Sequence, residues 1–185
     1  MKIMKAYGIP EKIVDAIKLL YEDTKAKVLS PDGETELFDI LAGVLQGDTL
    51  APVIIFDYVM EKAVGNKAEE IGFRLDNRSR QKSPTIVTDL MFADDIALVS
   101  EEIHQAQMFL DRVEVEGENV GLHINAGKTE LMAVNQKDPV NIKSSAGKAI
   151  KVVQNFKYLG PWMATRLFFY KQLLYKQQYW RFPRN

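Results

Sequence analysis

The stretch TDLMFADDIALVS, residues 88–100, constrains this chain more than any other. Asp94 and Asp95 stand side by side between two apolar arms. Adjacent carboxylates repel, and burying either one unpaired is costly. The arms TDLMF and IALVS read as strands, so ADD becomes a short turn that lifts both carboxylates onto the rim of a sheet. There water reaches them, and divalent cations can settle beside them. Mg²⁺ favours one or two carboxylates together with phosphate oxygens and water. Two such ions about 4 Å apart can clamp the attacking and leaving oxygens of a phosphoryl transfer. Asp-Asp turns also arise for structural reasons alone, because both residues accept turn dihedrals and cap backbone groups. The apolar arms on both sides argue for more than a solvated surface turn.

At 185 residues, 46% hydrophobic and 26% charged, the chain can bury a core of its own. It has no cysteine, which excludes disulfides, thiolate metal sites and cysteine nucleophiles. The start, MKIMKAYGIPEK, lacks the apolar run of a secretory signal. LAPVIIFDYVM is too short for a membrane span and holds Asp57. The expectation is a soluble intracellular protein, cytoplasmic or nuclear, with no membrane partner. The net charge of −1 hides an asymmetry: from Pro139 onward there are nine bases and no acid, leaving 15 bases against 25 acids before it. Such a split suggests an anionic partner near the basic end.

Along the chain, Pro10 suits a helix first turn, with Ile13, Ile17, Leu20 and Tyr21 at helical spacing after it. KAKVLS and ETELFDI around PDG predict a hairpin. LAGVLQGDTLAP reads as a loop, followed by a helix with Val53, Phe56, Met60 and Ala63 on one face. RLDNRSRQKSP reads as a polar surface loop. Ser100 is expected to cap a helix whose stripe is Ile103, Ala106, Leu110 and Val113. GLHINAGKTELMAV gives a turn and then a strand over about 128–134. KAIKVVQ and NFKYLG read as a final pair of strands. The last segment, TRLFFYKQLLYKQQYWRFPRN, could be helical, although its apolar residues keep no single face. No internal repeat or domain linker stands out.

Four blocks in order carry a resemblance: GVLQGDTLAPVIIFDYVMEKAV, FADDIALVS, GLHINAGKTELMAV and NFKYLG. Together they resemble the reverse transcriptase domain of non-LTR (LINE-type) retrotransposons, over about residues 1–163, with 164–185 as a basic aromatic tail unlike the family. The resemblance implies an α+β fold: a polymerase palm-like antiparallel sheet backed by helices, incomplete, with fingers and thumb missing. It implies an RNA-directed DNA polymerase working on an RNA template, a DNA primer and dNTP, with Mg²⁺ or Mn²⁺. By matching positions, Asp94 is the main metal ligand and Asp95 its companion, while Phe92 stands where many relatives have Tyr. Gln46 and Gly47 match the nucleotide and template block. Lys128 matches the block near the leaving pyrophosphate. Lys157, Tyr158, Leu159 and Gly160 match the hairpin that supports the primer end. The family's upstream aspartate block, which supplies a third metal carboxylate, has no counterpart among these residues, so the chain alone is expected to polymerise poorly.

Two other readings compete. One is a noncatalytic nucleic-acid-binding remnant that uses the basic tail through Arg166, Lys171, Lys176 and Arg181. The other is a marginally folded fragment with exposed apolar surface.

Overall fold

The computed structural model describes residues 2–22, 24–31, 33–39, 50–75, 84–92, 95–135, 140–164 and 173–177, with backbone alone at 50, 164 and 173–177. These residues belong to two compact units, 1–55 and 56–185.

The first unit opens with α1 (Lys2–Ala6) and α2 (Glu11–Tyr21). Pro10 stands just before α2 rather than in its first turn, with an extended backbone (ψ 138°). Its carbonyl accepts the N–H groups of Ile13 and Val14 at 2.9 and 3.2 Å, satisfying two donors that the helix leaves open. The buried residue of α2 is Val14, with Ile17 and Tyr21 partly covered beside it. Ile13 and Leu20 are exposed, so the packed face is rotated from the expected one. The hairpin around PDG is present as two nested antiparallel pairs. β2 (Leu29–Ser30) pairs with β3 (Gly33–Glu34), and β1 (Lys25–Ala26) pairs with β4 (Phe38–Asp39). Gly33 has φ +133°, a conformation that glycine alone adopts easily. The loop containing Gln46 and Gly47 lies outside the described residues.

The helix α3 spans Leu50–Val64. Phe56, Val59, Met60 and Ala63 are buried, whereas Val53 is exposed, so the covered face begins at Phe56. Gly65 (φ +50°) ends the helix, its N–H donating to the Glu61 carbonyl at 2.8 Å. Then come α4 (Ala68–Ile71) and β5 (Phe73–Arg74), which pairs with β6 (Ile86–Val87). After them follow β7 (Asp89–Phe92), β8 (Asp95–Ser100) and α5 (Ile103–Glu118). Arg112 on α5 donates from Nε to the Ala63 carbonyl and from Nη2 to the Lys62 carbonyl, capping the end of α3 with a cation.

Ser100 does not cap α5. It ends β8, is buried, and donates its hydroxyl to the Ile71 carbonyl at 2.6 Å. The cap is Glu102, whose N–H donates to Gln105 Oε1 at 3.0 Å in a reciprocal capping box. Local sequence favoured serine as a cap, but a bond to a residue 29 positions away outcompeted it. The expected stripe of α5 is buried at Ala106, Leu110 and Val113, joined by Phe109, while Ile103 is only partly covered.

The remaining strands are β9 (Glu130–Ala133), β10 (Lys151–Val153), β11 (Asn155–Lys157), β12 (Trp162–Ala164) and β13 (Leu173–Gln177). A five-stranded sheet runs β10-β9-β13-β8-β7. Its β10–β9 pair is parallel and the others are antiparallel, so it is not the wholly antiparallel sheet expected. The two final strand segments do not pair with each other: β10 joins β9, and β11 pairs with β12. Residues 173–177 of the tail are strand rather than helix. The architecture is mixed helix and sheet, mostly antiparallel.

β8 positions the site. Ala97 and Val99 share one face by alternation, and Val99 packs in a cluster with Phe73, Met132, Val134 and Phe156. Ser100 lies on the other face, tied to α4, and α5 packs against the strand. A strand covered on both sides must be apolar throughout, which accounts for IALVS. Below it, Gly72 leaves no room: an added Cβ would meet Ile86 Cγ2 at 2.5 Å, the Ala68 carbonyl at 2.7 Å and Thr88 Cγ2 at 2.9 Å. Gly72→Ala is therefore expected to destabilise the second unit by about 1–3 kcal/mol, read from chemical denaturation. An unchanged midpoint would show that the strands shift without strain.

Candidate functional site

β7 and β8 pair from Asp89↔Leu98 to Phe92↔Asp95. Only Ala93 and Asp94 join them, and these two lie outside the described residues. The two strands expected on either side of ADD are therefore present and paired antiparallel, with Asp95 opening β8. Asp95 is partly buried while Ile96 to Ser100 are all buried. The strand thus carries its charge at the one end that water reaches. Phe92, the Cα partner of Asp95, is 63% exposed.

β7 is an edge strand. Its Leu90 carbonyl accepts a hydrogen bond of 3.2 Å from the Tyr158 hydroxyl. Tyr158 packs on the core cluster that contains Val99. Its phenol is pushed above the ordinary tyrosine value, first by burial and then by the charges of Asp95 and Asp89. Both carboxylates therefore act on one hydroxyl. Asp89 accepts the Thr88 hydroxyl at 2.7 Å. Burial raises its carboxyl, the Thr88 bond opposes this, and the charge of Asp57 on α3 adds to the rise. Among the described residues no group of three His, Asp or Glu side chains is gathered closely enough to hold a metal ion.

Asn125 shapes the turn expected before β9. Its Oδ1 accepts the Gly127 N–H at 3.2 Å, and its carbonyl accepts the N–H groups of Lys128 and Thr129 at 2.9 and 3.0 Å. Lys128 lines a cleft of about 620 Å³ together with Glu130, Lys151, Phe156, Lys157 and Trp162. Lys151 is paired with Glu130 at 2.9 Å. Trp162 is 67% exposed. Tyr158 to Pro161 form the turn between β11 and β12, closed by Tyr158 N–H to the Pro161 carbonyl at 3.0 Å, with Leu159 and Gly160 at positive φ. Lys128 and Lys157, placed in separate blocks of the sequence, thus share one cleft. Gln46, Gly47 and Asp94 fall outside the described residues.

Asp89, Lys151 and Trp162 were not singled out from sequence. Asp89 carried a signal: it is a third acid in an apolar strand, six residues before Asp95. The roles of Lys151 and Trp162 depend on strand pairing distant in sequence.

The sequence matches the family model described as reverse transcriptase (RNA-dependent DNA polymerase) over residues 1–163. It is 30% identical over 167 residues to the Retrovirus-related Pol polyprotein from type-2 retrotransposable element R2DM of Drosophila melanogaster, covering 85% of this chain and 15% of that protein. It is 28% identical over 153 residues to the Pol polyprotein from type-1 retrotransposable element R2 of Bradysia coprophila, covering 82% of this chain and 16% of that protein. A third relative, from element R2 of Nasonia vitripennis, is 23% identical over 163 residues, covering 82% of this chain and 15% of that protein. The chain thus spans about a sixth of the length of these curated relatives.

The raised carboxyl of Asp89 makes a pH prediction. A carboxyl raised by folding holds its proton more tightly in the folded state. Its contribution is complete below the unfolded value of about 3.9 and is lost as pH rises through the folded value. Asp89→Asn can keep an acceptor for Thr88 and removes the buried charge. It is expected to raise the melting temperature at pH 8 by roughly 2–4 °C, a gain that closes as the pH falls toward 4. A lowered melting temperature at pH 8 would mean that the carboxylate is needed in its charged form.

Proposed function

The chain belongs to the reverse transcriptase (RNA-dependent DNA polymerase) family, and from that premise we propose that the β7–β8 hairpin is the catalytic element of a palm-like polymerase domain. The observation that supports this reading is the register Phe92↔Asp95, which leaves Asp95 at the partly exposed end of the buried strand β8, with Asp94 next to it in sequence. The donors are carboxylates at a water-reachable rim, without thiol or imidazole in the hairpin, and this oxygen-only chemistry fits Mg²⁺ or Mn²⁺. Asp94 and Asp95 would hold the cation, which when bound supplies charge neutralisation for nucleotidyl transfer from dNTP to a primer on an RNA template. Phe92, exposed next to the tip, offers an apolar face to a base or sugar. Lys128 contributes positive charge toward phosphate. Gln46 and Gly47 are assigned to the nucleotide and template by family position alone.

Because family position assigns only Asp94 and Asp95 of this chain as metal carboxylates, the chain by itself is expected to extend primers slowly. Mn²⁺ titration followed by calorimetry separates binding from turnover. Binding by the native chain and a loss of at least about tenfold in Asp94→Asn and Asp95→Asn support the site. Metal-dependent extension on an RNA template that survives both substitutions would refute it.

A nucleic-acid-binding role is also supported by the cleft. Arg166, Lys171 and Arg181 lie outside the described residues, whereas Lys128, Lys157 and the exposed Trp162 line one concave surface. Exposed indole and lysines suit single strands, by stacking and phosphate contact. By family position, Lys157, Tyr158, Leu159 and Gly160 would bring this cleft to the primer end. Trp162→Ala is expected to weaken single-stranded RNA binding by about 5–150-fold, as loss of one stacked base implies. With Trp180→Phe in the background, Trp162 is the sole tryptophan, so quenching of its fluorescence on titration reads the contact directly. Unchanged affinity in Trp162→Ala would remove the cleft from the binding path.

A further inference from the structure

One end of the five-stranded sheet carries both signs of charge. Ala97 near the start of β8 and Glu130 at the start of β9 are both Cα partners of Lys176 on β13. β8 and β9 therefore run in the same direction and begin at the same end. β10 lies parallel to β9, with Lys151 beside Glu130, so it begins there too. Asp95 thus shares its end of the sheet with the residues just before β9 and β10. At ordinary strand spacing, β9 lies about 10 Å from β8 and β10 about 14 Å from it. Lys128 stands before β9, and Lys148 before β10.

Lys148 is set in place by a hairpin of residues 142–150. Lys143 bridges to Ala149, the Ile150 N–H donates to the Ile142 carbonyl at 2.8 Å, and Gly147 (φ +74°) turns the chain. Ile142 and Ile150 are buried. Two side chains of α5 clamp this hairpin. Gln107 accepts the Lys143 N–H on Oε1 at 2.9 Å and donates from Nε2 to the Lys143 carbonyl at 2.7 Å. Glu114, only 5% exposed, accepts the Ser145 N–H at 2.7 Å. Burying a carboxylate to hold one backbone amide is costly, and what it secures is the placement of the hairpin. The Lys148 side chain is left exposed and lies over the Asn125 turn. A Cβ added at Gly127, the residue before Lys128, would lie 3.4 Å from the Lys148 ammonium. Lys151 is held by Glu130 at 2.9 Å, whereas no described acid pairs with Lys148.

We propose that Lys148 is a further phosphate-binding residue, gripping the backbone of a single-stranded nucleic acid where it passes Lys128 at the acidic end of the sheet. This rests on the reading of the cleft as a nucleic-acid surface and extends that surface beyond the residues that line it. An ammonium already matched by a carboxylate adds little net attraction, while an unmatched one releases a counterion from the strand when it meets phosphate. Lys148 is therefore the lysine of this edge whose charge a strand reads in full.

The test uses the full chain and a labelled oligouridylate, with affinity measured by fluorescence anisotropy over a series of KCl concentrations. Lys148→Ala is expected to flatten the dependence of log K on log salt by about 0.7, the contribution of one phosphate contact in a single strand. Lys148→Arg is expected to restore the slope, and Lys143→Ala, in the same hairpin, to leave it unchanged. Trp162→Ala reports on the cleft itself. Weakened binding in Trp162→Ala with an unaltered slope in Lys148→Ala would overturn this inference and leave the cleft standing. Unaltered affinity and slope in both would overturn the two together. Equal flattening by Lys143→Ala would reduce the effect to net charge and overturn the assignment. Inorganic pyrophosphate, titrated by calorimetry, separates a strand from a leaving group. It is expected to bind the native chain and Lys148→Ala equally, and a loss confined to pyrophosphate would overturn the strand as ligand.

Discussion

Coverage of β8 on both faces is the constraint on which the second unit depends. One face meets the cluster of Phe73, Met132, Val134 and Phe156 through Val99, and the strand packs against α5. Its last residue, Ser100, bonds to the Ile71 carbonyl. A strand enclosed in this way tolerates charge only at its end, and Asp95 occupies that end. The acidic tip and the apolar core are thus two consequences of one arrangement. Burial anchors the strand, and the anchored strand presents the carboxylate.

Around that tip the electrostatics are negative. Asp95 and Asp89 both disfavour ionisation of Tyr158, and Asp57 does the same to Asp89. A nucleic acid approaching this end meets repulsion unless a cation intervenes. The cleft lined by Lys128, Lys151 and Lys157 is net positive, although Glu130, paired with Lys151, also lines it. Negative hairpin and positive cleft are joined through Tyr158, which packs on the shared core and bonds to β7. This separation of sign is what the proposed reading would require, with phosphate held in one place and a cation in another.

Local signals were readable. The PDG hairpin, the Asn125 turn, the stripe of α5 and the arms around Asp94 and Asp95 follow from residues within a few positions of one another. The errors have a common cause. Ser100 was drawn from a cap by Ile71, and the face of α2 turned toward Val14. The two last strand segments found other partners, β9 and β12. Each choice was made by a contact distant in sequence or by packing that propensity does not encode.

The sequence by itself determined the acidic turn between apolar arms, the order of the family blocks and the position of the main helices, because periodicity and turn chemistry act over short range. Only the tertiary structure decided that residues 173–177 become a central strand, that β10 runs parallel to β9, and that Lys128 and Lys157 line one cleft. Strand pairing joins backbone groups that carry no label of their partner. Which strand fills an interval is therefore settled by what the rest of the chain leaves open.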